Sequence, residues 1–254
     1  MRIASLAVPL LAGIIASAGC NGANPAPRTS PDMTIAMKKS PEAVSLFGTP
    51  LYAREFSAET RARLERDLAR AQAAYEHTPT NADSIIWVGR RLGYLERYRD
   101  AIDVFSKGIE QHPNDSRLYR HRGHRYITLR KFDLAAADLQ KAADLIQGTP
   151  DEMEEDGAPN SRNIPTSTAQ GNIYYHLALA HYLLGHYDKA LASWNDAMRI
   201  ARNDDSRVSL ADWRYITLRR LGRDDEARQV LVPITKDLNV IEKLTDYVDM
   251  GNRE

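Results

Sequence analysis

NIYYHLALAHYLLGHYDKALASWNDAMRI, residues 172–200, sets Tyr174, Ala178, Gly185, Tyr187, Ala190, Trp194 and Ala197 in an order of small and large side chains that the chain has already used twice. Upstream, Gly89 and Gly123 lie 34 residues apart, and so do Tyr98 and Phe132, Ala101 and Ala135, and Phe105 and Leu139. Four coincidences at one spacing mark an internal repeat, and a period of this size belongs to stacked arrays of short supersecondary units. From Ala135 to Ala190 the offset is 55, one period of 34 plus 21. The surplus is visible as TPDEMEEDGAPNSRNIPTSTA, residues 149–169, polar and rich in turn formers. Downstream, LGRDDEARQVL repeats LGHYDKALASW after 37 residues, which pairs Gly222 with Gly185 and Ala227 with Ala190.

The 254 residues are 43% apolar and 27% charged, ordinary for a globular chain. The 34 basic and 34 acidic side chains cancel, so no overall field draws the protein to nucleic acid. Between residues 51 and 147 glycine and proline are sparse while Ala, Leu, Arg, Asp and Glu abound, a composition that favours helix.

A 34-residue unit with these residues resembles the tetratricopeptide repeat (TPR) over about residues 82–235. The resemblance implies an all-α fold: a right-handed α-solenoid of about four helix-turn-helix repeats with flanking capping helices. Repeats 1 and 2 occupy 82–148, the acidic and polar insertion 149–169, repeats 3 and 4 170–235, with a capping helix within 51–81 and another, plus tail, in 236–254. It also implies that Gly89, Gly123 and Ala178 on first helices, and Ala101, Ala135, Ala190 and Ala227 on second helices, sit where backbones approach most closely. Tyr98, Phe132, Tyr187, Phe105 and Trp194 then fill the gaps. Pro113 matches the closing proline of the family, whereas Asp224 stands in an aromatic slot and Pro233 shortens the fourth unit. Within 51–81, Ser57 opens a helix with Glu59 in its first turn and Pro79 as its stop; Ala74 and Pro79 match repeat slots.

The segment RLYRHRGHRYITLR, residues 117–130, then falls on the first helix of the second unit. Tyr119, Gly123 and Tyr126 follow i, i+4, i+7 and face the partner helix. Arg117, Arg120, His121 and His124 share the opposite stripe, which in the family lines a concave groove. The same stripe carries Trp87, Arg90 and Tyr94 on the first unit, Tyr175 and His176 on the third, and Trp213 and Arg220 on the fourth. Arginine beside aromatics is the composition of interface hot spots, so this set is the candidate partner-binding surface. A solvated helix face is the competing reading. Arg122 stands where the family has Leu, and a buried guanidinium there needs a carboxylate or carbonyls. A metal site at His121 and His124 lacks an identifiable third ligand. The run DEMEEDG is either a solvated loop or a lid that docks on the basic stripe and competes for it.

The first twenty residues form a separate object. IASLAVPLLAGIIASAG is an apolar run interrupted by Pro9 and ending in small residues before Cys20, the sole cysteine. It reads as a signal sequence over 1–19. SAGC resembles the lipobox of bacterial lipoproteins, with Ser17 where that family has Leu, which implies acylation of Cys20 and a membrane anchor. Ala16-Ser17-Ala18 is also an A-x-A site, whose use leaves a free thiol. Asn21 is not the aspartate of inner-membrane retention, which points to the outer membrane and a periplasmic location. The proline-rich residues 20–50 read as a tether.

The sequence carries no Gly-rich phosphate loop, G-x-S-x-G or H-E-x-x-H. The expectation is therefore a recognition module without catalysis, cofactor or metal. It would bind a protein or peptide of anionic character in its groove, anchor to a membrane by lipid and bind no nucleic acid. A structural scaffold in envelope assembly, or a small-ligand or glycan receptor using Trp87, Tyr94 and His124, are the alternatives.

Overall fold

A computed structural model of the chain describes residues 40–155 and 163–231. The signal sequence, Cys20, most of the tether, Pro233 and the expected C-terminal cap lie outside the described residues. A short antiparallel hairpin comes first, β1 (Ala43–Val44) paired with β2 (Pro50–Leu51). Arg99 holds it by donating to the carbonyls of Pro41 and Glu42 at 3.1 and 3.2 Å. The tether expected to run to residue 50 is therefore folded over its last ten residues, because a guanidinium on a neighbouring helix satisfies backbone that would otherwise face water.

Helix α1 (Ala58–His77) begins where Ser57 accepts the Thr60 N–H at 3.2 Å. Four helical pairs follow: α2 (Ala82–Tyr94) with α3 (Tyr98–Gln111), α4 (Ser116–Thr128) with α5 (Phe132–Leu145), α6 (Ala169–Leu183) with α7 (Tyr187–Ile200), and α8 (Asp204–Arg220) with the short α9 (Asp224–Gln229). Each first helix has a side-chain cap: Asn81, Asp115, Thr168 and Asn203 accept an N–H from the first turn. No second helix has one. Instead, each first helix ends in the same tight turn, with the N–H of Arg97, Lys131, His186 and Arg223 reaching back to Leu92, Tyr126, His181 and Leu218. Such a turn needs a left-handed residue before the closing donor. Gly185 and Gly222 supply it in the later units, Glu96 and Arg130 at φ 58° and 61° in the earlier ones.

The small residues of the repeat lie at the helix crossings. A Cβ on Gly123 would stand 2.7 Å from Leu139 Cγ, and one on Gly89 would overlap the Phe105 ring. Ala101, Ala135, Ala178, Ala190 and Ala227 are fully buried, as are Phe105, Leu139 and Trp194. One core joins Leu64, Leu68 and Ala71 of α1 to α2, α3 and Leu118; a second runs from α5 to α8. Helix α1 thus covers the apolar face that α2 would otherwise expose, as terminal units require. The alanine it buries is Ala71; Ala74 is exposed, a correction to its expected slot. Helix α2 touches α4 and α4 touches α6, so the first helices line up as one wall.

Candidate binding site on the inner wall

Helix α4 divides its cations between two flanks. On the flank toward α3 and α5, Arg122 donates from Nε and Nη2 to Asp138 at 2.7 and 2.8 Å and from Nη1 to Ser106 at 3.0 Å. That bidentate contact is the counter-charge the family's leucine does not need, and it holds the guanidinium pKa above its ordinary value.

On the other flank Arg120 and His121 are buried, at 8% and 7% exposure. Arg120 Nη1 donates to His121 Nδ1 at 2.7 Å, and Nη2 faces Glu154 Oε1 at 3.1 Å. An arginine only donates, so His121 carries its proton on Nε2. His176 sends Nδ1–H to the Asn172 carbonyl at 2.6 Å and lies 4.2 Å, ring to ring, from His124. Together with Arg90, Tyr94 and Arg125 these groups enclose a cavity of ≈ 280 Å³. Burial, and then the neighbouring Arg120, pushes His176 down to about 3 and holds His121 well below the ordinary histidine value. His124 is depressed by burial and by His176. Arg125 falls to about 10 through burial and Arg120. At neutral pH the histidines are uncharged and the arginines charged.

The insertion forms one side of this cavity through Glu154 and Ser167. Residues 151–155 run extended beside 166–168, joined by the Met153 to Thr168 bridge and by Glu154 N–H to the Ser167 carbonyl at 3.1 Å. Arg90 Nη2 donates to the Glu155 carbonyl at 2.6 Å and Arg202 Nη2 to the Asp151 carbonyl at 2.8 Å. Asn172 Nδ2 fixes the other Glu154 oxygen at 2.9 Å. The acidic run thus lies on the basic stripe as a strap.

The remaining expected residues are dispersed around this centre. Arg117 sits at the start of α4, paired with Asp115 and Asp83 at 2.6 Å each. Trp87 lies under Arg90 and Arg91, at 4.3 and 4.8 Å from the ring centre. Trp213 stacks on Trp194 at 5.1 Å and donates to Tyr175 Oη at 2.8 Å, so these two rings pack against the second core. Arg220, exposed, reaches Tyr182 Oη at 3.4 Å. The expected single open stripe is corrected in one respect: Arg120, His121 and His176 are buried, because the strap covers them.

Sequence reasoning missed Arg125, Asp138 and the pairing role of Glu154. Arg125 was accessible, since the i+4 step from His121 leads to it; Gly93, where an added Cβ would stand 2.9 Å from Arg125 Nη1, leaves it room. Among the described residues no three metal-ligating side chains come together, and no helix is long and apolar enough to cross a membrane.

Residues 171–204, which hold most of α6 and all of α7, match the tetratricopeptide repeat family model. Solved structures of similar fold include a MamA protein, 16% identical over 68% of this chain and 81% of that one at a TM-score of 0.51. A second MamA structure is 14% identical over 78% and 96% at 0.52. MamA from Desulfovibrio magneticus RS-1, from residue 41 to its end, is 16% identical over 75% and 86% at 0.51. At these identities the likeness is one of fold alone. A comparison with curated proteins finds no match.

Proposed function

We propose that this tetratricopeptide-repeat solenoid is a recognition module whose inner wall takes an extended acidic segment of a partner protein, and that its own insertion occupies that place in the free chain. The contact of residues 151–155 with Arg90, Arg120 and Arg202 carries the reading. It displays the ligand chemistry the wall accepts: an extended backbone, whose carbonyls meet two guanidinium groups, with a carboxylate for Arg120. Affinity would come from apolar burial around Trp87 and Ile86, beside the strap, and register from the charges. A sugar stacking on Trp87 would have to displace Arg90 and Arg91, which weighs against the glycan alternative.

A labelled peptide DEMEEDG, offered to a variant with residues 151–157 replaced by Gly and Ser, tests the wall directly. The expected result is saturable binding to the variant, weaker binding to the unaltered chain, and loss in Arg90→Glu. Equal binding to both chains would remove the competing role of the insertion. Residues 1–20 support export and anchoring through Cys20 at the periplasmic face of the outer membrane. Mass analysis of the mature N-terminus checks this: an acylated Cys20 is expected, and a chain beginning at Gly19 with a free thiol would remove the anchor.

A further inference from the structure

The cavity beneath the strap is more positive than its occupants explain. Arg90, Arg120 and Arg125 line it, with Glu154 the sole carboxylate among its described lining residues. Arg90 is spent on the Glu155 carbonyl and on Trp87. Arg120 shares Glu154 through Nη2, yet its buried Nε has no hydrogen-bond partner. Arg125 has no carboxylate or carbonyl partner among the described residues; its guanidinium lies over the Tyr98 ring at 5.5 Å. Among the described residues, three guanidinium groups against one carboxylate leave two positive charges. The histidines, being neutral, neither add to nor cancel them.

An uncompensated buried charge is among the costliest features a fold can carry. Surface arginines escape that cost in water, and Arg122 on the same helix escapes it through Asp138. Arg125 has neither. The unused donors are those of a site built to surround oxygen: Arg120 Nε–H, the fork of Arg125 and the Nε2–H of His121. The volume, ≈ 280 Å³, lies just below the range of ligand pockets, about 300 to 1,000 Å³. It fits a compact ion, not a folded segment.

We infer that the cavity bounded by α2, α4, α6 and the strap is a binding site for a small dianionic oxyanion of the phosphate, sulfate or dicarboxylate kind, held chiefly by Arg120 and Arg125. Two negative charges match the two uncompensated positive ones. The carboxylate of Glu154 occupies the strap side of Arg120, so the ion sits behind it and does not replace it. The strap then retains the ion while presenting its own outer face. The inference is independent of the partner reading, since it concerns the space beneath the strap.

The test is a thermal melt of the full chain in sodium phosphate, sulfate or succinate, each matched in ionic strength with chloride. Saturable stabilisation on the order of 5 °C is expected with at least one dianion. Arg125→Met removes the unpaired charge, so the variant should melt no lower than the parent without added ion and should lose the response. A melt equal in chloride and all three dianions overturns the inference, as does an Arg125→Met variant that keeps the response. Calorimetric titration of the unaltered chain with phosphate decides the matter even if that variant does not fold. A pentapeptide ending in aspartate separates a free ion from the same chemistry on a chain. Binding of the peptide alone, with no response to any free dianion, overturns the free-ion site.

Discussion

The two flanks of α4 solve the same problem in opposite ways. Arg122, toward α5, meets one carboxylate with two short hydrogen bonds and a serine hydroxyl. On the other flank Arg120 meets Glu154, while Arg125 meets no carboxylate among the described residues. The first flank is closed chemistry: charge, donors and geometry all end within the repeat. The second leaves donors over. A repeat array can therefore keep its period on one side of a helix and store a local function on the other.

Acid should separate the flanks most. His176 is neutral in the fold at about 3, against 6.5 in an unfolded chain. It faces Arg120 and Arg125 of α4, His121 and His124 on the same helix, and Glu154 of the strap. Its contribution to stability is full above pH 6.5. It is lost as pH falls toward 3, because the unfolded chain takes up a proton the folded chain refuses, amounting to roughly 5 kcal/mol for this one group. Urea unfolding between pH 7 and 4 measures it. His176→Gln should flatten the slope by about 1.4 kcal/mol per pH unit, and an unchanged slope would show that the cavity is open to water.

Asp138→Asn should cost about 3 kcal/mol, since it strands a guanidinium in a half-buried place. Pairing it with Arg122→Met should recover most of the loss in the same denaturant titration. Glu154→Gln should cost less, about 1–2 kcal/mol, because Arg120 keeps its contact with His121 and the amide keeps an acceptor for Asn172. Equal losses for Asp138→Asn and Glu154→Gln would erase the distinction between the flanks. Gly93→Ala should lower stability by under about 1 kcal/mol, because the new Cβ meets only the mobile end of Arg125. It should nonetheless blunt the dianion response by displacing that guanidinium.

Much of the fold is legible because packing slots recur. Gly123 and Leu139 announce a close crossing wherever the 34-residue period places them, and Ser57 announces a helix start. What is not legible is what breaks the period. Asp138 could be matched to Arg122 only once α4 and α5 were known to lie side by side, since α5 offers Asp133 and Asp144 equally. Glu96 and Arg130 in left-handed turns carry no signal, for the chain spends glycine at the equivalent Gly185 and Gly222. The strap was legible as an acidic run near a basic stripe, but which carboxylate reaches Arg120 depends on the Met153 to Thr168 bridge, a contact without periodicity. The hairpin at 43–51 was hidden in a proline-rich tether because its support is Arg99, far along the chain.

The strap also does something at its other edge. The first amides of α6 have no partners within their own helix: Ala169 N–H goes to the Glu152 carbonyl at 2.8 Å and Gln170 N–H to Asp151 Oδ1 at 3.0 Å. Thr168, which caps the helix through Gly171, is itself the residue bridged to Met153. Peeling the strap away would leave two amide donors of the third unit bare, so unlatching and the fraying of α6 are a single event. Whatever rests beneath would have its residence time governed by how often that helix loosens its first turn, a clock set in the backbone and read by amide exchange at Ala169 and Gln170.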